Sequence, residues 1–367
     1  MPTRLPPAWV VRPIFGAREV LERLRNRLAP SQLVLLERTL GVIDTKAIAV
    51  ATELGVPDQL STGPADASTL ARAVGADADA LERLLRYLVA RGVFRRTRHG
   101  RYANNRVSAR LVSSDRSSLT AWAEFFGARW HVDIWNELGH AVRTGDAAAT
   151  NVFGQPFWEH LTETNPDAGA LFAAAMANAS RVQVELIASG HHFERCRDVC
   201  DVGGGTGTLL AGILTASPGV HGTLFDLPAV VASAAPTLDA AGVTDRVTVV
   251  AGNFFESVPP ERDRYLLQAI LHDWDDESCL RILTNVREAM ANDARVLVIE
   301  QELPHHDGWH IAKATDLEML VDTGAGRERT RAEFEALFTR AGLRVTRRRA
   351  LPAVISFELA ATEPGTR

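Results

Sequence analysis

Apolar positions up to about Val112 recur at helical spacing. Leu33, Leu36, Leu40 and Ile43 lie three or four residues apart, and Ala47, Ala51 and Leu54 continue the series until Gly55 and Pro57 stop it. Residues 68–74 predict a short helix with a hydroxyl start at Ser68 and Gly75 as its stop. Asp77 opens a longer helix through Leu81, Leu84, Leu85 and Leu88, closed by Gly92. Residues 93–95 and 101–103 flank His99-Gly100 and predict a β-hairpin. Helix, turn, helix and hairpin outline a winged helix.

Between Ser118 and Leu161 the pattern turns aromatic. Trp122, Phe125, Phe126, Trp130, Trp135, Phe153, Phe157 and Trp158 are eight of the chain's 24 aromatic residues. They read either as a core or as walls of a flat apolar pocket. Residues 165–189, rich in alanine, predict a long helix. From Asp198 the rhythm changes again: short apolar runs at 199–202, 222–225, 247–250, 265–267 and 296–299 alternate with helical stretches such as 208–215 and 277–291. Repeated βα units predict a parallel sheet covered on both faces. The pattern divides the chain into a helical part, 1–115, a helical linker, 116–190, and an α/β part, 191–367.

Composition narrows the class. At 367 residues, 46% hydrophobic and 23% charged, the chain is expected to fold into two globular domains. No apolar run approaches the roughly 20 residues that span a bilayer. Forty basic against 45 acidic residues leave a formal charge of −5, which argues against a life on nucleic acid. Seven arginines between Arg91 and Arg110 keep a DNA-binding regulator as an alternative, but the second helix offers mainly Glu82, Arg83 and Arg86 to read bases. Three cysteines give no disulfide framework, and prolines interrupt the amino-terminal stretch where a secretion signal needs an unbroken apolar run. A cytoplasmic protein is expected.

Chemistry concentrates at the ends of the predicted strands. Asp201-Val-Gly-Gly-Gly-Thr-Gly207 joins the first strand to a helix, and Asp226 ends the second strand 23 residues after Gly203. Glycines at a strand tip let a ligand approach the backbone, and a carboxylate on the next strand suits ribose hydroxyls. Thr208 stands where a dinucleotide fingerprint has its third glycine, so the tighter turn with Gly203, Gly205 and Gly207 suits S-adenosylmethionine better than a nicotinamide cofactor. Asn253 and Phe254 follow the third strand. Taken alone they read first as a polar loop residue and a loop aromatic, and otherwise as an adenine site. His272, at the carboxyl end where the fourth strand is expected to finish, reads equally as a core histidine or as a base that titrates near neutrality. Glu300 ends the fifth strand and Glu328 precedes a helix. Each is a candidate to orient the imidazole, or else a solvated strand end and a helix cap. A zinc site from His191, His192, Cys196 and Cys200 is rejected, because Cys200 falls inside a strand.

With these stretches in order, the chain resembles the S-adenosylmethionine-dependent O-methyltransferases of the caffeic acid, flavonoid and bacterial aromatic-polyketide type. The matches are DVGGGTG at 201–207, FDLP at 225–228, GNFF at 252–255, LHDW at 271–274, EQELP at 300–304 and GRERTRAEF at 326–334, with GQPFWEHL at 154–161 upstream. The resemblance covers nearly the whole chain. It implies a Rossmann-like catalytic domain preceded by a mostly helical winged-helix dimerisation domain, hence a homodimer. It further implies S-adenosylmethionine bound by Gly203, Gly205, Asp226, Asn253, Phe254 and Gln268. His272 is implied as general base, supported by Glu300 and Glu328, acting on an aromatic small-molecule hydroxyl without a metal. Two positions depart from the common pattern: Asn253 replaces an aspartate, and Gln268 stands where many plant members have lysine. Members that use the scaffold for decarboxylation or hydroxylation tend to alter the histidine. An intact His272-Asp273-Trp274 therefore favours methyl transfer.

Overall fold

The computed structural model describes residues 8–115, 117–351 and 354–362. The first seven residues, on which part of the amino-terminal reading rests, lie outside the described residues. Among the described residues no helix is long and apolar enough to cross a membrane. The described residues divide into two compact units: those of 21–135 with 163–182, and those of 8–20 with 136–162 and 183–362.

In the former unit, helices Ser31–Thr39 and Gly41–Glu53 carry the first apolar series, with a break at Leu40. The period is helical as expected, but its first half faces outward. Leu36 is 62% exposed and Leu40 50%, whereas Ala47 and Ala51 are buried. The helix Ala67–Val74 starts on Asp66, whose carboxylate accepts Thr69 N–H, rather than on the expected Ser68 hydroxyl. Ser68 Oγ donates to the same carboxylate, so the more strongly accepting group takes the cap. Asp77 caps Ala78–Ala90 as its spacing predicts, and Leu81, Leu85 and Leu88 are buried. The hairpin pairs β1 (Phe94–Arg96) with β2 (Tyr102–Asn104), one residue later than expected.

In the latter unit, seven strands form one sheet: β3 (Asp198–Val202), β4 (His221–Asp226), β5 (Val247–Ala251), β6 (Arg264–Gln268), β7 (Arg295–Glu300), β8 (Leu343–Ala350) and β9 (Ile355–Ala361). Their order is β5-β4-β3-β6-β7-β9-β8. The first five are parallel, each a near match to an apolar run in the sequence. β9 and β8 close the sheet antiparallel. That last hairpin escapes the pattern because β8, Leu343-Arg-Val-Thr-Arg-Arg-Arg-Ala350, is a largely exposed edge, and arginines on an edge strand discourage pairing with other chains.

Alternation along the strands feeds two cores. Tyr265, Leu267, Val296 and Val298 pack with Ile282, Leu283, Phe334 and Phe338 on one face. Leu266, Leu297 and Ile299 pack with Leu209, Leu210, Ile213 and Leu214 on the other. At about 1.5–3 kcal/mol per buried large apolar side chain, these layers fix the sheet rigidly. The strand order reverses at β3, between β4 and β6, which is where open parallel sheets place their ligands.

Candidate active site

The first half of the site is built from backbone. After β3 the chain turns through Gly203 and Gly205, both at positive φ, and enters the helix Thr208–Ala216. At Gly203 φ is 69°, and a Cβ there would lie 2.5 Å from Ile270 Cδ1, so only glycine fits. Gly203 N donates to Phe225 O at 2.8 Å, tying the turn to the end of β4. Asp226 is held by two backbone donors, Gly205 N to Oδ2 at 2.8 Å and Leu227 N to Oδ1 at 2.7 Å. Burial raises its carboxyl, and those two amides oppose the rise. Beneath the turn lies Asp201, pushed up to about 7 by burial and by the charge of Asp226.

Asn253 follows β5, and its Oδ1 accepts Phe255 N at 2.9 Å. The acceptor that distinguishes this side chain from an apolar one is thus engaged by the loop itself. Phe254 packs edge-on against Phe255 and Trp274, with centroids 4.9 and 6.0 Å apart. Gln268 ends β6, and its Nε2 donates to Gln183 Oε1 at 3.3 Å. Four strand ends therefore present a helix amino terminus, a carboxylate, an aromatic face and two amides along one edge. This set fits a ligand with a ribose, a flat base and an amino-acid tail.

The second half is built from buried charge. β6 ends at Gln268 rather than running on to the histidine. Ala269 takes φ of 52°, and a 3₁₀ turn, Leu271–Asp273, then carries His272. Glu300 Oε1 accepts Ile270 N at 3.0 Å and Leu271 N at 2.8 Å, so this carboxylate anchors the start of the turn. Its Oε2 lies 3.9 Å from His272 Nδ1. Glu328 Oε1 is 3.1 Å from the same nitrogen, and Asp273 Oδ1 is 3.4 Å from Nε2. Both glutamates are fully buried; neither is a solvated strand end or a helix cap. The cap of the following helix is Thr330 with Glu333.

Burial alone would depress His272, but Asp273, Glu300 and Glu328 outweigh it and raise the imidazole to about 10. Burial lifts Glu300 to about 7 against the pull of His272, and Asp273 to about 6. At neutral pH the proton therefore rests on the ring, and the acids stabilise the imidazolium. Asp316 accepts Glu328 N at 2.9 Å behind them. Asp322 is raised by burial and by its neighbours Glu318 and Asp273.

The structure brings His272, Glu300 and Glu328 together, and places Gly203, Gly205, Asp226, Asn253, Phe254 and Gln268 along the adjoining strand ends. Sequence reasoning missed Gln183, which lies in a helix whose alanine-rich pattern carries no chemical signal. It also missed Asp273 and Arg329 as participants, although both lie in quoted motifs. Cys200 is buried within β3, and His191 bonds Ser356 Oγ at 3.1 Å. The predicted aromatic stretch is shared between the two units. Trp122, Phe125, Phe126 and Trp130 belong to one unit, and Phe153, Phe157 and Trp158 to the other.

A model of the O-methyltransferase domain matches residues 135–344, and one of the O-methyltransferase dimerisation domain matches residues 36–114. The chain belongs to the O-methyltransferase family. It is an enzyme of that class, and its cofactor is S-adenosylmethionine. The mitomycin biosynthesis 6-O-methyltransferase of Streptomyces lavendulae is 40% identical over 311 residues, 84% of this chain and 87% of that one. A phenazine-1-carboxylate N-methyltransferase of Pseudomonas aeruginosa is 34% identical over 313 residues, 85% of this chain and 92% of that one. Among solved structures, the O-methyltransferase NcsB1 from neocarzinostatin biosynthesis, in complex with S-adenosylmethionine and 2-hydroxy-5-methyl naphthoic acid, is 34% identical with a TM-score of 0.72. That likeness covers 87% of this chain and 96% of that one.

Proposed function

We propose that this methyltransferase acts on a phenolic hydroxyl of an aromatic small molecule, as a tailoring step on a natural product, with His272 as general base. The observation that carries the reading is the pair of buried glutamates on one edge of the His272 ring, 3.1 and 3.9 Å from Nδ1. A proton on Nδ1 is donated to Glu328, which leaves Nε2, 3.4 Å from Asp273 Oδ1, as the proton acceptor of the neutral ring. S-adenosylmethionine, when bound, supplies an electrophilic methyl group. Gly203, Gly205, Asp226, Asn253, Phe254 and Gln268 hold the cofactor. The base removes a proton from a phenol whose pKa is near 10, and the carboxylates that raise the imidazole strengthen it as an acceptor for that proton. Glu300 and Glu328 stabilise the charge that forms on the ring.

The acceptor class is supported by the likeness to a mitomycin biosynthesis 6-O-methyltransferase and to a 2,7-dihydroxy-5-methyl-1-naphthoate 7-O-methyltransferase. A mass-spectrometric screen of phenolic and quinone acceptors should show a gain of one methyl group that disappears in His272→Ala. Loss of carbon dioxide, or gain of one oxygen in place of a methyl group, points instead to decarboxylation or hydroxylation on the same scaffold. Methylation confined to amines would move the protein toward its N-methylating relative.

We also infer a cytoplasmic homodimer that binds neither membrane nor nucleic acid. Leu36, Leu40 and Ile43 are exposed within the region matched by the dimerisation model, and the exposed Leu33 lies just before it. Leu36→Glu should shift sedimentation toward the monomer. In the hairpin region several arginines are occupied by the fold: Arg91 bonds Asp44, Arg95 bonds Asn104 O, Arg96 bonds Gly100 O and Arg110 bonds Asp115. This favours packing over DNA reading. Salt-sensitive, sequence-dependent retardation in a gel shift would reverse that inference.

A further inference from the structure

We propose that Arg329 is a positioning residue for His272, acting through the backbone of the turn that carries the ring. The proposal rests on the reading of His272 as the base. Arg329 is fully buried, and a buried cation is tolerated only where it is paired and hydrogen-bonded. Its Nη1 donates to Leu271 O at 2.7 Å and its Nη2 to Trp274 O at 2.7 Å. Nε and Nη2 both reach Asp276 Oδ1, at 3.0 and 2.8 Å. One rigid fork thus spans the carbonyls on either side of His272 and Asp273, and its charge is neutralised just beyond them.

The same short segment takes the carbonyl between them. Arg327 N donates to His272 O at 2.8 Å, and at Gly326 a Cβ would lie 2.6 Å from that oxygen. Glu328 meanwhile meets the ring itself. Leu303 N donates to Arg329 O at 2.9 Å, and Glu302 bridges Arg329, which ties the segment to the chain just beyond Glu300. Two amides of the turn, of Ile270 and Leu271, end on Glu300, and two of its carbonyls, of Leu271 and Trp274, end on Arg329. A turn entered through Ala269 at φ 52° needs such opposed anchors, because a strained backbone persists only where its surroundings over-determine it. Lysine, with one compact ammonium, cannot reproduce the fork.

The test is histidine-labelled NMR of the full-length protein, with His272→Ala used to assign the resonance, so no acceptor is needed. In Arg329→Lys the His272 titration should fall by one unit or more toward the free value. The carboxylates that face the ring are Asp273 from its own turn, Glu300 from the end of β7 and Glu328 from the loop, with Asp316 and Asp322 behind. Loosening the turn separates the ring from them. With an acceptor from the screen, kcat should drop about 10²-fold while the dissociation constant for S-adenosylmethionine stays within about twofold. An unchanged titration in folded Arg329→Lys overturns the proposal. If that variant does not fold, Arg329→Gln serves in its place. Failure of both to fold makes Arg329 a residue of the fold alone and equally overturns the positioning role. Should His272→Ala keep wild-type turnover, the base reading fails, whereas the titration in Arg329→Lys still reports on the turn.

Discussion

The turn after β3 and the turn after β6 lie on adjacent strands of one sheet, yet they are specified by different physics. The former is a matter of backbone: glycines at positive φ, a peptide edge and a carboxylate gripped by two amides. The latter packs one largely buried imidazole against two fully buried glutamates, on a turn anchored by a fully buried guanidinium. Open backbone tolerates ligand exchange at little electrostatic cost. A buried charge cluster is rigid, because its members are held by one another and by the backbone amides and carbonyls around them. The comparison teaches that holding a cofactor and moving a proton ask opposite things of a loop.

Separating the two halves by mutation should give the largest effect first. His272→Ala should reduce kcat by about 10²–10⁴-fold and leave calorimetric affinity for S-adenosylmethionine nearly intact. A matching loss of affinity would show that the halves are not separable. Asp226→Ala should do the reverse, weakening cofactor binding by about 10- to 100-fold, the worth of hydrogen bonds to a charged group. Unchanged calorimetric affinity would remove it from the ribose site.

The pH profile sharpens the contrast. With the ring raised from 6.5 to about 10, the neutral base is the minor form at pH 7. The rate at saturating substrates should therefore climb above pH 7, by up to tenfold per unit until the limb is passed. The linked stability has the opposite sense. A raised folded-state value contributes stability in full below pH 6.5 and loses it as pH rises through about 10. The melting temperature of the free protein should fall over pH 7–10, and a flat curve would contradict the cluster. The smallest effect is expected from Glu328→Gln. Its amide oxygen still accepts the Nδ1 proton, so the tautomer survives while the stabilising charge is lost. The acid limb should drop by about one unit or more, with a modest decrease in kcat.

Much of this was legible along the chain, for identifiable reasons. β3, β4, β6 and β7 are short runs of apolar residues buried on both faces, a signal that needs no partner to be read. Gly203 and Asp226 were legible because a glycine turn and a strand-end carboxylate are local devices. The antiparallel pair β8 and β9 was not, since four arginines mask an edge strand. The exposed leucines of the first helices have a faithful period, but nothing in a period says whether the stripe faces the chain's own core. Asn253 was recognised by position, while the engagement of its oxygen by Phe255 N depends on the loop's closure.

Sequence alone determined the fold class, the order of the strand-end loops and the residue types at the site. Those follow from hydrophobic periodicity and turn chemistry, which act over a few neighbouring residues. Tertiary structure alone decided that residues 272, 300 and 328 come together, that the surrounding acids raise the ring, and that Arg329 grips the carbonyls of the turn. Electrostatic energy depends on distance through space and on the absence of water, and neither is written in the spacing of residues along a chain.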